Sequence, residues 1–160
     1  MNPFVKWAGG KRQLLPEIKK IMPLEFKTYF EPFLGGGALL LDIQPNKVCV
    51  NDFNRELMCV YKCLRDKDKY TLMVELCNEH ESKHNNDYYY QIRDLDRHKS
   101  FHKEPIYVIA ARFLYLNKSC FNGLYRVNSK GYFNVPSNGK EKVKCFDEEN
   151  LERIHNYFLK

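Results

Sequence analysis

The sequence predicts an α/β fold: a short parallel sheet near the N-terminus, then a strand-free helical stretch and a β-hairpin. Three observations carry this. The run Thr28-Tyr29-Phe30 hands over through Glu31-Pro32-Phe33-Leu34-Gly35-Gly36-Gly37 to a helical opening from Ala38 to Ile43, which is strand, glycine loop, helix. A second strand, Lys47-Val48-Cys49-Val50, leads through Asn51-Asp52-Phe53-Asn54 into an amphipathic helix with Leu57, Val60, Tyr61 and Leu64 on one side. From residue 69 to 117 the apolar residues keep helical spacing and no strand is needed.

The elements follow in chain order. Residues 12 to 22 give a short helix with Leu14, Leu15 and Ile18 apolar; Pro16 restricts its first turn and Pro23 closes it. Gln44-Pro45-Asn46 separates the glycine-loop helix from the second strand. Tyr70, Met73, Leu76 and Cys77 mark one helix of the middle stretch, and Tyr88, Ile92 and Leu95 mark another beyond a polar break at Ser82 to Asp87. Ile106, Ile109, Ala110, Phe113 and Leu116 mark a buried helix after Pro105. Tyr125-Arg126-Val127 and Tyr132-Phe133-Asn134-Val135 then flank Asn128-Ser129-Lys130-Gly131 as a hairpin. Asp147 to Phe158 is a final helix with Leu151, Ile154 and Phe158 on one face.

A chain of 160 residues with 44% hydrophobic residues can bury a sufficient core without disulfides or metal. Its six cysteines lack paired CxxC spacing and no signal peptide precedes them, so reduced thiols and a cytoplasmic location are expected. Apolar runs fall well short of the roughly 18 residues of a membrane span, so no membrane partner is expected. Cys59 and Cys63 read as small core residues. His80, His84 and Cys77 have helical spacing but no evident fourth ligand, so no metal site is expected. The net charge is +6, and it resides in one segment. Arg112, Lys118, Arg126, Lys130, Lys140, Lys142 and Lys144 oppose the single acid Glu141, while the rest of the chain balances. A polyanion touching that segment is one reading and a solvated basic loop the other.

Glu31 to Gly37 occupies the place where a parallel strand meets a helix and glycines let the backbone approach a ligand. Leu40 stands where the last glycine of GxGxxG would be, which disfavours a pyrophosphate and leaves room for a nucleoside. Asp52, at the end of the next strand, is placed to accept hydrogen bonds from ribose hydroxyls; the plainer alternative is a helix-capping acid. Phe4 to Lys11 contains the only tryptophan, Gly9-Gly10 and two flanking lysines, so Trp7 and Lys11 can border a purine or a carboxylate, or Trp7 can be a buried structural residue. Arg126, Asn122 and Asn128 are residue types that read base edges, and Phe121 and Leu124 suit an apolar wedge or a thymine methyl; the alternative is a surface hairpin with ordinary turn asparagines.

FVKWAGGKRQLLPEI, YFEPFLGGGALL, VNDFN and CFNGLYRVNSKGYFNVP together resemble, in order and spacing, the Dam-like DNA adenine-N6 methyltransferases that modify GATC. The resemblance spans essentially the whole chain, and its last motif is most similar to restriction-modification members. It implies a class I, Rossmann-like fold dependent on S-adenosyl-L-methionine (SAM). Trp7, Ala8, Gly9, Gly10, Lys11, Glu31, Pro32, Phe33, Gly35, Gly37 and Asp52 would bind the cofactor. Phe121, Asn122, Gly123, Leu124, Arg126, Asn128 and Lys130 would face double-stranded DNA, with Arg126 on the guanine and Phe121 as the wedge.

The implied division is a SAM-binding part over residues 1–55, an inserted helical and hairpin target-recognition subdomain over 56–140, and a return helix over 141–160. One departure matters more. The family's catalytic Asp-Pro-Pro-Tyr motif occurs nowhere in these residues, so no catalytic residue is assigned and an incomplete sheet is expected. That motif holds the exocyclic amine of a flipped adenine, so the chain alone is expected to be inactive unless a second polypeptide supplies it. The rival expectation is a non-catalytic DNA- or SAM-binding regulator, or a decayed remnant. Exposed sheet edges would favour self-association or cover by a partner.

Overall fold

The computed structural model covers residues 1–160. Residues Lys11–Leu14 form a 3₁₀ turn that runs into α1 (Leu15–Ile21), with Pro16 in the first turn where its missing N–H costs nothing. β1 (Tyr29–Glu31) and α2 (Ala38–Ile43) flank the glycine turn, and β2 (Val48–Val50) pairs with β1 in parallel register, Phe30 opposite Cys49. The sheet has these two strands only, and Phe30 and Cys49 are both exposed on it.

Helices supply the rest: α3 (Arg55–Leu64), α4 (Lys67–Ser82), α5 (Asn86–Asp94), α6 (Ile106–Ser119) and α7 (Glu148–Phe158). Four of them start on a side-chain cap, Asn54, Asp66, Asn85 and Asp147, each accepting the amide three residues on. The long apolar α6 is the axis, with α3, α4 and α5 packed around it. One continuous core runs from Phe4 through these helices to Ile154. No helix is long and apolar enough to cross a membrane.

Three sequence readings change. Leu95 belongs to a separate 3₁₀ turn, Leu95–Arg97, beyond the end of α5. The hairpin is held by one antiparallel bridge, Val127 with Phe133, rather than by two strands. At its tip Asn128 Oδ1 takes the amides of Lys130 and Tyr132, and the outward-pointing Phe133 amide is held from outside the hairpin by Asp96 Oδ2 at 2.7 Å.

Thirdly, Arg112 is not part of any basic surface. Its guanidinium is buried, 2.9 Å from Glu56 and 3.0 Å from Asp96, and it donates to the carbonyls of Ile92 and Arg93. Burial outweighs this guanidinium at Glu56 and raises its carboxyl above the usual range. Lys144 is also paired, with Glu81 at 2.9 Å. Five of the segment's seven cations, Lys118, Arg126, Lys130, Lys140 and Lys142, make no salt bridge. His80 Nδ1 lies 2.8 Å from the Tyr88 hydroxyl and His84 Nδ1 2.6 Å from that of Tyr115, so both imidazoles belong to an aromatic cluster.

Candidate functional site

The glycine turn is laced to the exit of β2. Asn51 N donates to Glu31 O and Leu34 N to Asn51 O, both at 3.0 Å. Asp52 accepts the Gly35 amide at 2.8 Å through one oxygen and the Asn54 amide at 2.9 Å through the other. The cap of α3 is Asn54, so the helix-capping reading of Asp52 does not hold; its carboxylate ties the turn to the start of the helix.

Gly35 sits at φ +55°, and a Cβ there would come within 2.6 Å of Trp7 Cδ1. Only glycine tolerates both the backbone and the contact. The indole so placed is half-buried, with the rings of Phe113 and Tyr125 at about 6 Å behind it. Lys11 reaches across from the same segment, donating to Phe33 O at 2.8 Å and standing 3.2 Å from Glu31 Oε1.

These contacts shape a cleft of about 810 Å³. Trp7, Ala8, Gly9, Gly10, Lys11, Phe33, Gly35 and Asp52 line it together, although they come from three separate stretches of chain. Glu31, Pro32 and Gly37 do not. Gly37 is a packing glycine against the Tyr61 hydroxyl, and Pro32 is exposed outside the lining. Glu31 lies buried beneath the turn, where Oε2 accepts from the Tyr29 hydroxyl and Oε1 makes no hydrogen bond. Lys6, Arg12 and Lys118 also line the cleft, so four cations face one carboxylate there. Burial, reinforced by Lys6, holds the Lys118 ammonium below its ordinary value.

The second cluster begins where α6 ends. Phe121–Gly123 form a 3₁₀ turn with Asn122 at φ +55° and Gly123 at +66°. Phe121 is anchored by its amide on Pro136 O, and its ring is about half exposed. Leu124 is exposed, and Arg126 is fixed by Asn134, whose side-chain oxygen takes Nε at 2.7 Å and whose carbonyl takes Nη2 at 3.2 Å. Asn128 spends its side-chain oxygen on the hairpin turn, and Lys130 is exposed at the tip. The two clusters meet at Lys6, which lines the cleft and packs on Gly123.

Residues 7–160 match the model of the D12 class N6 adenine-specific DNA methyltransferases. The chain belongs to that family. It is 43% identical over 157 residues to the type II methyltransferase M1.LlaDCHI of Lactococcus lactis subsp. cremoris, covering 98% of this chain and 55% of that protein. Against the type II methyltransferase M.MjaIII of Methanocaldococcus jannaschii it is 41% identical over 170 residues, covering 96% and 58%. Against the DNA adenine methylase of Escherichia coli (strain K12) it is 36% identical over 163 residues, covering 98% and 55%. The chain thus spans a little over half the length of these relatives.

Sequence reasoning overlooked Arg12, and saw Lys6 only as a lysine flanking Trp7 and Lys118 only as part of the basic segment; all three line the cleft. Lys118 stands in the last turn of α6, and only the fold brings it to the same cleft as Arg12.

Proposed function

We propose that this chain is the SAM-binding and target-recognition portion of a DNA adenine-N6 methyltransferase acting on GATC. The observation that carries the reading is the convergence of the Trp7–Lys11 segment, Gly35 and Asp52 on one cleft whose rim, at Lys6, touches the Phe121–Gly123 turn.

The residues fit such a cofactor. A cleft of about 810 Å³ is within the range of small-molecule sites. Asp52 offers carboxylate lone pairs to ribose hydroxyls, and Trp7 and Phe33 offer rings to a purine. Glu31, beneath the turn, holds the Lys11 ammonium at 3.2 Å, and Lys11 and Arg12 balance a carboxylate. When bound, the cofactor supplies the methyl group.

In this reading residues 1–55 hold the cofactor, 56–140 form the inserted recognition subdomain and 141–160 lead back toward the sheet, all in the cytoplasm. Arg126 reads the guanine, Asn122 and Leu124 meet other bases, Phe121 wedges beside the flipped adenine, and Lys130 meets a phosphate. Gly123 and Asn128 shape the backbone that presents them. Because the 160 residues lack Asp-Pro-Pro-Tyr, they do not turn over alone. A polypeptide carrying that motif completes the sheet beside β1 and β2; without it, the exposed edge self-associates.

Calorimetric titration with SAM, and duplex binding followed by anisotropy, test the reading. Micromolar SAM binding and a preference for GATC over scrambled duplex are expected, with no methyl transfer by the chain alone. Absence of SAM binding, or equal affinity for both duplexes, overturns it.

A further inference from the structure

The segment carrying Trp7 belongs to no helix or strand before Lys11, yet it forms one wall of the cleft. Two asparagine side chains hold its backbone. Asn150, on α7, accepts the Asn2 amide at 3.0 Å and donates to the Asn2 carbonyl at 2.9 Å. Asn117, on α6, does the same at Lys6, accepting its amide at 2.9 Å and donating to its carbonyl at 2.8 Å. Each primary amide thereby does for one residue what a neighbouring strand would do.

The two brackets differ in one respect. Asn117 Nδ2 also donates to the Gly123 carbonyl at 3.2 Å, so one side chain, only 4% exposed, grips the cleft wall and the base-reading turn together. Gly123 closes the joint from the other side. A Cβ there would lie 2.4 Å from Lys6 Cδ, 2.7 Å from Lys6 Cβ and 3.0 Å from the Asn117 carbonyl oxygen. Neither Asn117 nor Gly123 lines the cleft. Lys6 and Trp7 do, and Trp7 rests on Gly35.

We infer that Asn117 is a positioning residue that couples occupancy of the cleft to DNA reading, by holding Lys6 and Gly123 in one fixed arrangement. A ligand that orders the Lys6–Trp7 wall orders the Phe121–Arg126 presentation through this joint, and DNA on the turn acts back on the cleft by the same factor. Asn150 holds the segment but lacks the link to the turn. The inference rests on the proposed function, since it takes the cleft as a SAM site and the turn as a base reader.

The test uses the 160-residue chain with S-adenosylhomocysteine as probe. Affinity for a GATC duplex is measured by anisotropy with and without saturating probe, and deuterium uptake of residues 121–126 is followed in parallel. The wild type is expected to bind duplex about fivefold or more tighter with probe present, and to show protection at 121–126. Asn117→Ala is expected to bind both ligands while the ratio falls below about twofold and the remote protection disappears. Asn150→Ala, which removes the two exposed bonds to Asn2 and touches nothing at the turn, is expected to keep the wild-type ratio. Asn117→Asp, which keeps the acceptor for the Lys6 amide and has no donor for the Gly123 carbonyl, is expected to match Asn117→Ala and stands in for it if that variant does not fold.

Retention of the ratio in Asn117→Ala and Asn117→Asp overturns the inference, and so does equal loss in Asn150→Ala, which would make both asparagines simply structural. A wild type that binds each ligand but shows a ratio of one overturns the inference and leaves the proposed function standing. A wild type that binds neither ligand removes both.

Discussion

The indole of Trp7 lies directly on the Cα of Gly35, so close that a methyl group at position 35 would stand 2.6 Å from Cδ1 and 3.0 Å from Nε1. Sequence positions 28 residues apart thereby share one wall of the cleft.

Gly35→Ala is accordingly the most damaging small substitution at this site. It meets both the left-handed backbone at φ +55° and the indole ring, and costs about 2 to 4 kcal/mol of stability. Binding of SAM is expected to weaken more than tenfold, because the wall must move into the cleft. Calorimetry together with urea denaturation measures both.

Asp96→Ala leaves Arg112 buried with one carboxylate fewer and strips the Phe133 amide of its acceptor. Removing one partner of a buried pair costs about 3 to 5 kcal/mol. The expected result is a lower urea midpoint, together with faster deuterium uptake at residues 126–134, since the one-bridge hairpin loses its outside anchor.

His80 gives the chain an acid-sensitive component. Burial lowers its pKa to about 4, against about 6.5 in an unfolded chain, so between these values the unfolded state binds the proton that the folded state does not. The contribution is fully present above about pH 6.5, is lost as pH falls toward 4, and amounts to at most about 3 kcal/mol. His80→Gln is expected to flatten the dependence of the melting temperature on pH across that window.

Arg126→Ala is expected to cost about 1 to 3 kcal/mol on GATC duplex and little on scrambled duplex, whereas Lys130→Ala weakens both alike and lowers the salt dependence by about one ion. Anisotropy titrations on the two duplexes at several salt concentrations separate them. Equal losses for Arg126→Ala on both duplexes remove its base-reading role.

Periodicity made the helices legible. Leu57, Val60, Tyr61 and Leu64 in α3, and the run from Ile109 to Leu116 in α6, are buried as their spacing requires. The cleft was legible in part, because glycines and an acid at strand ends have a local logic. What stayed hidden depends on partners remote in sequence. Asp96 holds the Phe133 amide from 37 positions away, and Glu56 neutralises Arg112 from 56 positions away. Charge counting cannot see either pairing. The Asn117 bracket is equally invisible, since a backbone with no repeating structure leaves no period for its holder to match.

Of the six cysteines only Cys49 is exposed, and it sits in register beside the bare ring of Phe30 on the two-stranded sheet. A thiol-directed fluorophore therefore attaches at a single position in the folded chain, on the face of the strand pair that has no covering layer. Its labelling rate becomes a direct gauge of contact with that face: fast for the bare chain, and slowed by whatever polypeptide shields it.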